Sequence, residues 1–224
     1  SDECFITKII MKGKFIVFEG IDGCGKTTQI HQLAEWLKNL DLIPKKNKLV
    51  ITREPGGTKL GQSLRSLLLE TSKENIPKPI TELLLYAADR AQHINQIIQP
   101  SLKRGDWIIS DRYSGSTVAY QGYGRQLDIK LITDLEKIAT NGLLPDITFL
   151  LDISVDESIK RRIKMTDDRI EKEGKIFLEK VSAGFQVLSK ERKWIKVSAT
   201  RSRQEITSEI QTEIIKAFKA EVNS

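Results

Sequence analysis

Cysteine is scarce in this sequence. Cys4 and Cys24 stand far apart among 224 residues, without metal-ligand spacing. That excludes a disulfide framework and a cysteine-built zinc site. It fits a reducing compartment, and a cytoplasmic location is expected. Long apolar runs are also missing. No stretch approaches the roughly 18 residues of a membrane span, so no membrane partner is expected. Residues Ser1–Ile10 mix charges and are too poor in apolar sequence for a secretory signal. Residues 1–11 read as an extension, with Met11 a candidate start, ahead of a single domain over residues 12–224. The two histidines, His31 and His93, have no carboxylate or cysteine at a diagnostic spacing. Both read as surface residues on helices. The sequence shows no nucleophile elbow, no repeat and no low-complexity tract.

What is present is charge. The formal net charge is +6 and the isoelectric point about 9.2. A positive field attracts anions. The basic residues form no single long run, which favours small polyanionic ligands over a nucleic-acid partner.

Gly20-Ile21-Asp22-Gly23-Cys24-Gly25-Lys26-Thr27 fits the phosphate-loop pattern G-x-x-x-x-G-K-S/T. An apolar run, Lys14–Phe18, precedes it, and a helix-like segment, Thr27–Leu40, follows. Glycines let the backbone turn its N–H groups onto an anion, and a helix N-terminus adds partial positive charge. Lys26, on a loop read as solvent-facing, can reach the outer phosphates of a nucleoside triphosphate. The Thr27 hydroxyl can hold Mg²⁺.

Short apolar runs alternate with amphipathic ones, which predicts an α/β fold. The strands are placed at Lys14–Glu19, Lys48–Arg53, Trp107–Asp111, Ile147–Asp152 and Trp194–Ser198. Their near-continuous apolar character suits a parallel sheet buried on both faces. Helical spacing covers Leu60–Leu69, Ile80–Leu102, Lys130–Asn141, Val155–Lys164, Glu171–Lys190 and Arg203–Val222. Ligands of open parallel sheets sit at the carboxyl ends of strands. There the sequence places the phosphate loop, Thr52-Arg53-Glu54-Pro55, Asp111-Arg112-Tyr113 and Ser198-Ala199-Thr200.

Each motif has its chemistry. Asp111 can hold Mg²⁺ through water, and Arg112 can grip a second phosphate bidentately. Arg53 and Glu54 lie in a turn fixed by Pro55, Gly56 and Gly57, where they can orient a substrate; Thr58 can cap the next helix. Tyr86 and Arg90, four residues apart, share a helix face. From spacing alone they read as a buried tyrosine and a surface arginine, although they could also form a pyrimidine pocket. Arg161, Arg162, Lys164, Asp168 and Arg169 crowd one segment, a candidate short lid over residues 160–174.

Taken together, Phe15–Thr28, Thr52–Thr58, Tyr86–His93 and Asp111–Gly122 resemble the thymidylate kinase family, of the nucleoside-monophosphate kinase class. The resemblance runs over nearly the whole chain from Met11. It implies a three-layer phosphate-loop fold with a five-stranded parallel sheet between helices, a homodimer, and phosphorylation of dTMP by ATP with Mg²⁺. It implies ATP contacts from Gly20, Ile21, Asp22, Gly23, Cys24, Gly25, Lys26, Thr27 and Thr28. Asp22 would also meet the sugar 3′-hydroxyl and the substrate phosphate region. Tyr86 would stack on the base, Arg90 would bond its O4, and Thr117 and Gln121 would contact it. Arg112 would hold the dTMP phosphate, and Tyr120 would exclude a 2′-hydroxyl. Some relatives carry arginine at the position of Gly23, so here the lid would supply the catalytic arginine. Arg161 and Arg169 are placed first for that role and Arg162 after them.

Rival functions fit less well. A guanine-specific switch needs Asn-Lys-x-Asp, yet Asn47-Lys48 runs into Leu49-Val50. A nucleic-acid-dependent ATPase rests on charge alone. A kinase for another base is disfavoured by Tyr86, Arg90 and Thr117, through the resemblance.

Overall fold

A computed structural model describes residues 13–40, 42–70, 76–162 and 168–222. Five strands form one parallel sheet: β1 (Phe15–Glu19), β2 (Leu49–Arg53), β3 (Trp107–Asp111), β4 (Ile147–Asp152) and β5 (Ile195–Ser198). Their order is β2-β3-β1-β4-β5, with Phe18 opposite both Asp111 and Phe149. Each strand ends on the expected residue. The three inner strands are buried almost throughout, and the two edge strands are only half covered. This is why the inner runs read as continuously apolar.

Alternation along β1 divides the core. Ile16 and Phe18 enter the larger cluster on one face, where Phe18 stacks on Phe149 at 5.3 Å between centroids. Phe15 and Val17 enter the smaller cluster on the other, where Phe15 meets Tyr113 edge-on. Helices cover both faces: α1 (Lys26–Lys38), α2 (Lys59–Leu69), α3 (Pro79–His93), α4 (Gln99–Arg104), α5 (Ser114–Thr117), α6 (Ile129–Thr140), α7 (Val155–Arg162), α8 (Lys175–Glu191) and α9 (Arg203–Val222). Thr58 caps α2 by accepting from the Gly61 N–H at 2.9 Å, as its position before the helix predicts.

Two expectations about helices need correction. The helix expected over Ile80–Leu102 is interrupted by a wide π-type turn at Ile94–Ile98. Pro100, at the start of α4, lacks an N–H and would crowd the carbonyl four residues back; one wider turn relieves both. Similarly, Glu171–Lys190 splits into a short turn at Glu171–Glu173 and α8, divided at Gly174. The segment Ser114–Gly124, read as a motif without an element, is helical: α5 continues into a π-type stretch at Val118–Gly124. Its residues are buried from Ser114 to Gly122, so it has no amphipathic period to read. Residues 1–12 and 163–167, with the expected extension and Lys164, lie outside the described residues. No described helix is long and apolar enough to cross a membrane.

Candidate active site

The phosphate loop leaves the carboxyl end of β1, the central strand. Gly20, Gly23 and Gly25 all hold positive φ, which lets the loop close before α1 begins at Lys26. Lys26 is not solvent-facing as expected. Only 6% of its surface is exposed, and its Nζ donates to the carbonyls of Gly20 (3.0 Å) and Ile21 (3.4 Å). The loop wraps its own lysine, with Asp22 Oδ1 3.8 Å away. Cys24 is buried beneath the loop, and Thr28 sits half-buried in the first turn of α1.

A cleft of about 300 Å³ opens from this loop. Asp22, Arg53, Glu54, Tyr86, Arg90, Arg112, Thr117, Tyr120 and Gln121 all line it, as do Thr27 and Asp111. Four separate segments therefore meet at one end of the sheet. Arg112, at positive φ just past β3, donates to Asp22 Oδ1 at 2.8 Å and Ser116 Oγ at 3.0 Å, with its guanidinium over the Tyr120 ring. The protein surround would raise the Asp22 carboxyl, but Arg112 and Lys26 outweigh it and hold the group well below the usual carboxylate range. Behind them Glu19 is fully buried and accepts from the N–H groups of Tyr113 and Ser116 and from Ser116 Oγ, which fixes the turn after β3.

Arg90 is not a surface residue: it is 2% exposed. Its guanidinium donates to Glu54 Oε2 (2.6 Å), Thr117 Oγ1 (2.7 Å), Glu136 Oε1 (2.6 Å) and the Tyr113 carbonyl (3.0 Å). Tyr86, half-buried on the same helix, lines the cleft beside it. His93 also departs from expectation, being fully buried. Its Nδ1 meets Glu54 Oε1 at 2.9 Å, and its Nε2 meets Thr52 Oγ1 at 2.7 Å. The ring packs against Gly57, so the Glu54-to-Gly57 turn rests on it. No partner at short sequence spacing announced this, because Glu54 is 39 residues away.

The candidate lid arginines differ in placement. Arg161 pairs with Glu157 at 3.2 Å and donates to the Ala199 carbonyl at 2.9 Å, toward the end of β5. Arg169 bonds the Leu68 carbonyl and Glu82, and is 6% exposed. None of the three arginines lines the cleft, and Arg162 pairs with Glu171, which does, at 3.5 Å. Arg162 packs its stem on Gly23 of the phosphate loop, and the Ser158 hydroxyl one turn earlier donates to the Asp22 carbonyl at 2.6 Å.

The donors present suit a metal ion. Asp111 Oδ1 is buried without a hydrogen-bond partner among the described residues, and Asp111 and Thr27 line the same cleft. A carboxylate oxygen and a hydroxyl beside a phosphate loop suit Mg²⁺, which keeps several waters.

A thymidylate kinase family model matches residues 18–210. The chain belongs to the thymidylate kinase family. A thymidylate kinase of Prochlorococcus marinus is 69% identical over 209 residues, covering 93% of this chain and 99% of its own. One from a Synechococcus species is 57% identical over 204 residues, covering 91% and 98%. The crystal structure of thymidylate kinase from Ehrlichia chaffeensis superposes with a TM-score of 0.70 at 36% identity, over 91% of this chain and 99% of that one.

Several cleft residues were given no role by the sequence motifs. Arg65 on α2 reaches the cleft and donates to the Pro55 carbonyl at 3.3 Å. Ser116, Asp168 and Glu171 also line it. Asp89, inside the Tyr86–His93 motif, supports the Pro55 turn by accepting from the Gly56 N–H at 2.9 Å. Burial pushes its carboxyl up to about 6 against that hydrogen bond. The folded value exceeds the ordinary 3.8, so the fold prefers the protonated form. Its contribution is full below about pH 4 and is lost as the pH rises through about 6. Asp89→Asn keeps an acceptor for Gly56 and cannot ionise. Its stability relative to wild type should climb by roughly 2 kcal/mol between pH 4 and 7. Urea unfolding of both proteins across that range checks this, and a pH-independent difference would contradict it.

Proposed function

We propose that this chain transfers the γ-phosphoryl group of ATP to dTMP with Mg²⁺, as a cytoplasmic homodimer. One observation carries the reading: the nine residues expected from the sequence to meet the nucleotide acceptor converge on a single cleft that begins at the phosphate loop.

Phosphoryl transfer needs positioning and charge stabilisation more than covalent chemistry. Lys26 and the loop N–H groups take the ATP phosphates. Arg112, fixed by Asp22 and Ser116, holds the acceptor phosphate, whose oxygens are already ionised at neutral pH. Arg162 is the lid arginine nearest the loop. Tyr86 packs on the base and Tyr120 presses on the sugar. Thr27 and Asp111 would hold Mg²⁺, which screens the phosphate charge. Solvated phosphates repel each other in water; within the cleft three or more cations outweigh that repulsion.

Bare apolar side chains support the dimer. Leu60 and Leu67 on α2 and Ile80 and Leu84 on α3 are each about half exposed, on helices packed side by side. A second copy would cover such an exposed apolar face.

The test is ADP release by purified protein with Mg²⁺-ATP and dTMP, dUMP, dCMP, AMP or GMP in turn. Release stimulated most by dTMP is expected. No stimulation by dTMP above the ATP-only rate would refute the reading.

A further inference from the structure

Glu82 lies on α3, outside every sequence motif, and is fully buried. A buried carboxylate needs partners, and it has three. Arg125 donates Nε to Oε1 and Nη2 to Oε2, both at 3.1 Å. Arg169 bonds Oε2. Gln121 Nε2 donates to Oε1 at 2.9 Å. Burial works to raise the carboxyl, but these donors outweigh it and hold Glu82 below the usual range. Glu82 is therefore ionised, and an ionised carboxylate only accepts.

That fixes the Gln121 amide. Its NH₂ must face Glu82, because the reverse orientation would press a carbonyl oxygen against a carboxylate in a dry interior. The Gln121 side-chain oxygen Oε1, which has no hydrogen bond among the described residues, is left for the cleft that Gln121 lines. Arg90 completes the wall. Of its five N–H groups, four are used by Glu54, Thr117, Glu136 and Tyr113, and one remains. The wall thus offers an acceptor from Gln121 and a donor from Arg90. Thymine carries a donor at N3 beside an acceptor at C4, which matches. Cytosine carries an acceptor at N3 beside an amino donor, which opposes at both points.

We infer that Glu82 is a specificity-determining residue that acts through Gln121: by locking the amide, it makes the cleft accept an imide base and reject an aminopyrimidine. This rests on the dTMP reading above and deepens it.

The test is Glu82→Gln. The new amide both donates and accepts, so Gln121 is released to turn. The kcat/KM ratio for dTMP over dCMP should fall about tenfold, the upper worth of one hydrogen bond between neutral groups. In a Gln121→Met background, the same Glu82→Gln change should move the ratio less than twofold, since the amide it acts through is gone. Loss of a merely structural carboxylate would lower both substrates together. A folded Glu82→Gln that keeps its ratio within twofold overturns the inference. So does an equal fall in the Gln121→Met background. Because Arg125 and Arg169 also rest on Glu82, the wild type supplies a second measurement, by NMR on isotope-labelled glutamine side chains. The Gln121 pair is assigned by its loss in Gln121→Met. Its Glu82-bonded proton should be protected from solvent exchange with and without dTMP; exchange at the free-amide rate overturns the inference. A wild type with no preference for dTMP marks failure of the functional reading instead.

Discussion

Lys26→Met is expected to lower kcat by about 10³-fold while the protein stays folded. Removing one donor aimed at transition-state charge costs about 10²–10³ in rate, and a full positive charge in an enclosed loop belongs at the upper end. The structural cost is smaller. Methionine keeps the apolar stem that fills the loop. What is lost is the pair of bonds from Nζ to the Gly20 and Ile21 carbonyls, worth about 1–2 kcal/mol together. Asp22 keeps its partner, because Arg112 holds the same oxygen at 2.8 Å. Steady-state kcat for ADP release and the midpoint of thermal unfolding, measured on the same preparation, separate the two effects. A mutant within tenfold of the wild-type kcat would exclude the Lys26 ammonium from the transition state.

The sheet was legible because the inner strands are buried on both faces, so their sequences are apolar without interruption. Helices that carry one apolar face were legible for the matching reason. Ser114–Gly124 was not, since burial on all sides erases the helical period. The break at Ile94–Ile98 follows from Pro100, a local signal, but the helical spacing on both sides hid it. Among site residues, those in compact motifs were visible: the phosphate loop, Arg53 to Pro55, and Asp111 to Gln121. Those that act across the fold were not. Glu82, Glu136 and His93 form their bonds with residues 39 to 87 positions away. Nothing in one sequence sets such pairs side by side. A buried ion pair also looks like any exposed charge until its surroundings are known, which is why Arg90 read as a surface residue.

The ranking of the lid arginines is where sequence and geometry part. Arg161 and Arg169 stood first, yet Arg161 bonds Ala199 and Arg169 bonds Leu68 and Glu82, whereas Arg162 pairs with Glu171 at the cleft. Arg162 alone of the three packs on the phosphate loop. A Cβ at Gly23 would lie 3.1 Å from Arg162 Cγ and 3.0 Å from the Ser158 carbonyl, so the space a side chain would occupy at position 23 is filled by Arg162. That exchange has a physical sense: the guanidinium arrives from α7 in place of one rooted in the loop. Arg162→Ala should therefore lower kcat about 10²-fold with a smaller change in KM, the mark of an interaction made mainly in the transition state. Arg162→Lys should recover only part, because an ammonium lacks the bidentate fork. Arg161→Ala should stay within about threefold of wild type, which is under 1 kcal/mol of barrier. Arg169→Ala should instead act on stability, by about 3 kcal/mol, since it removes one partner of the buried Glu82 carboxylate. Measuring kcat, KM and unfolding free energy for the four variants tests the order. If Arg161→Ala or Arg169→Ala lowers kcat more than Arg162→Ala does, with stability unchanged, the catalytic charge comes from that residue and the packing of Arg162 on Gly23 is only structural.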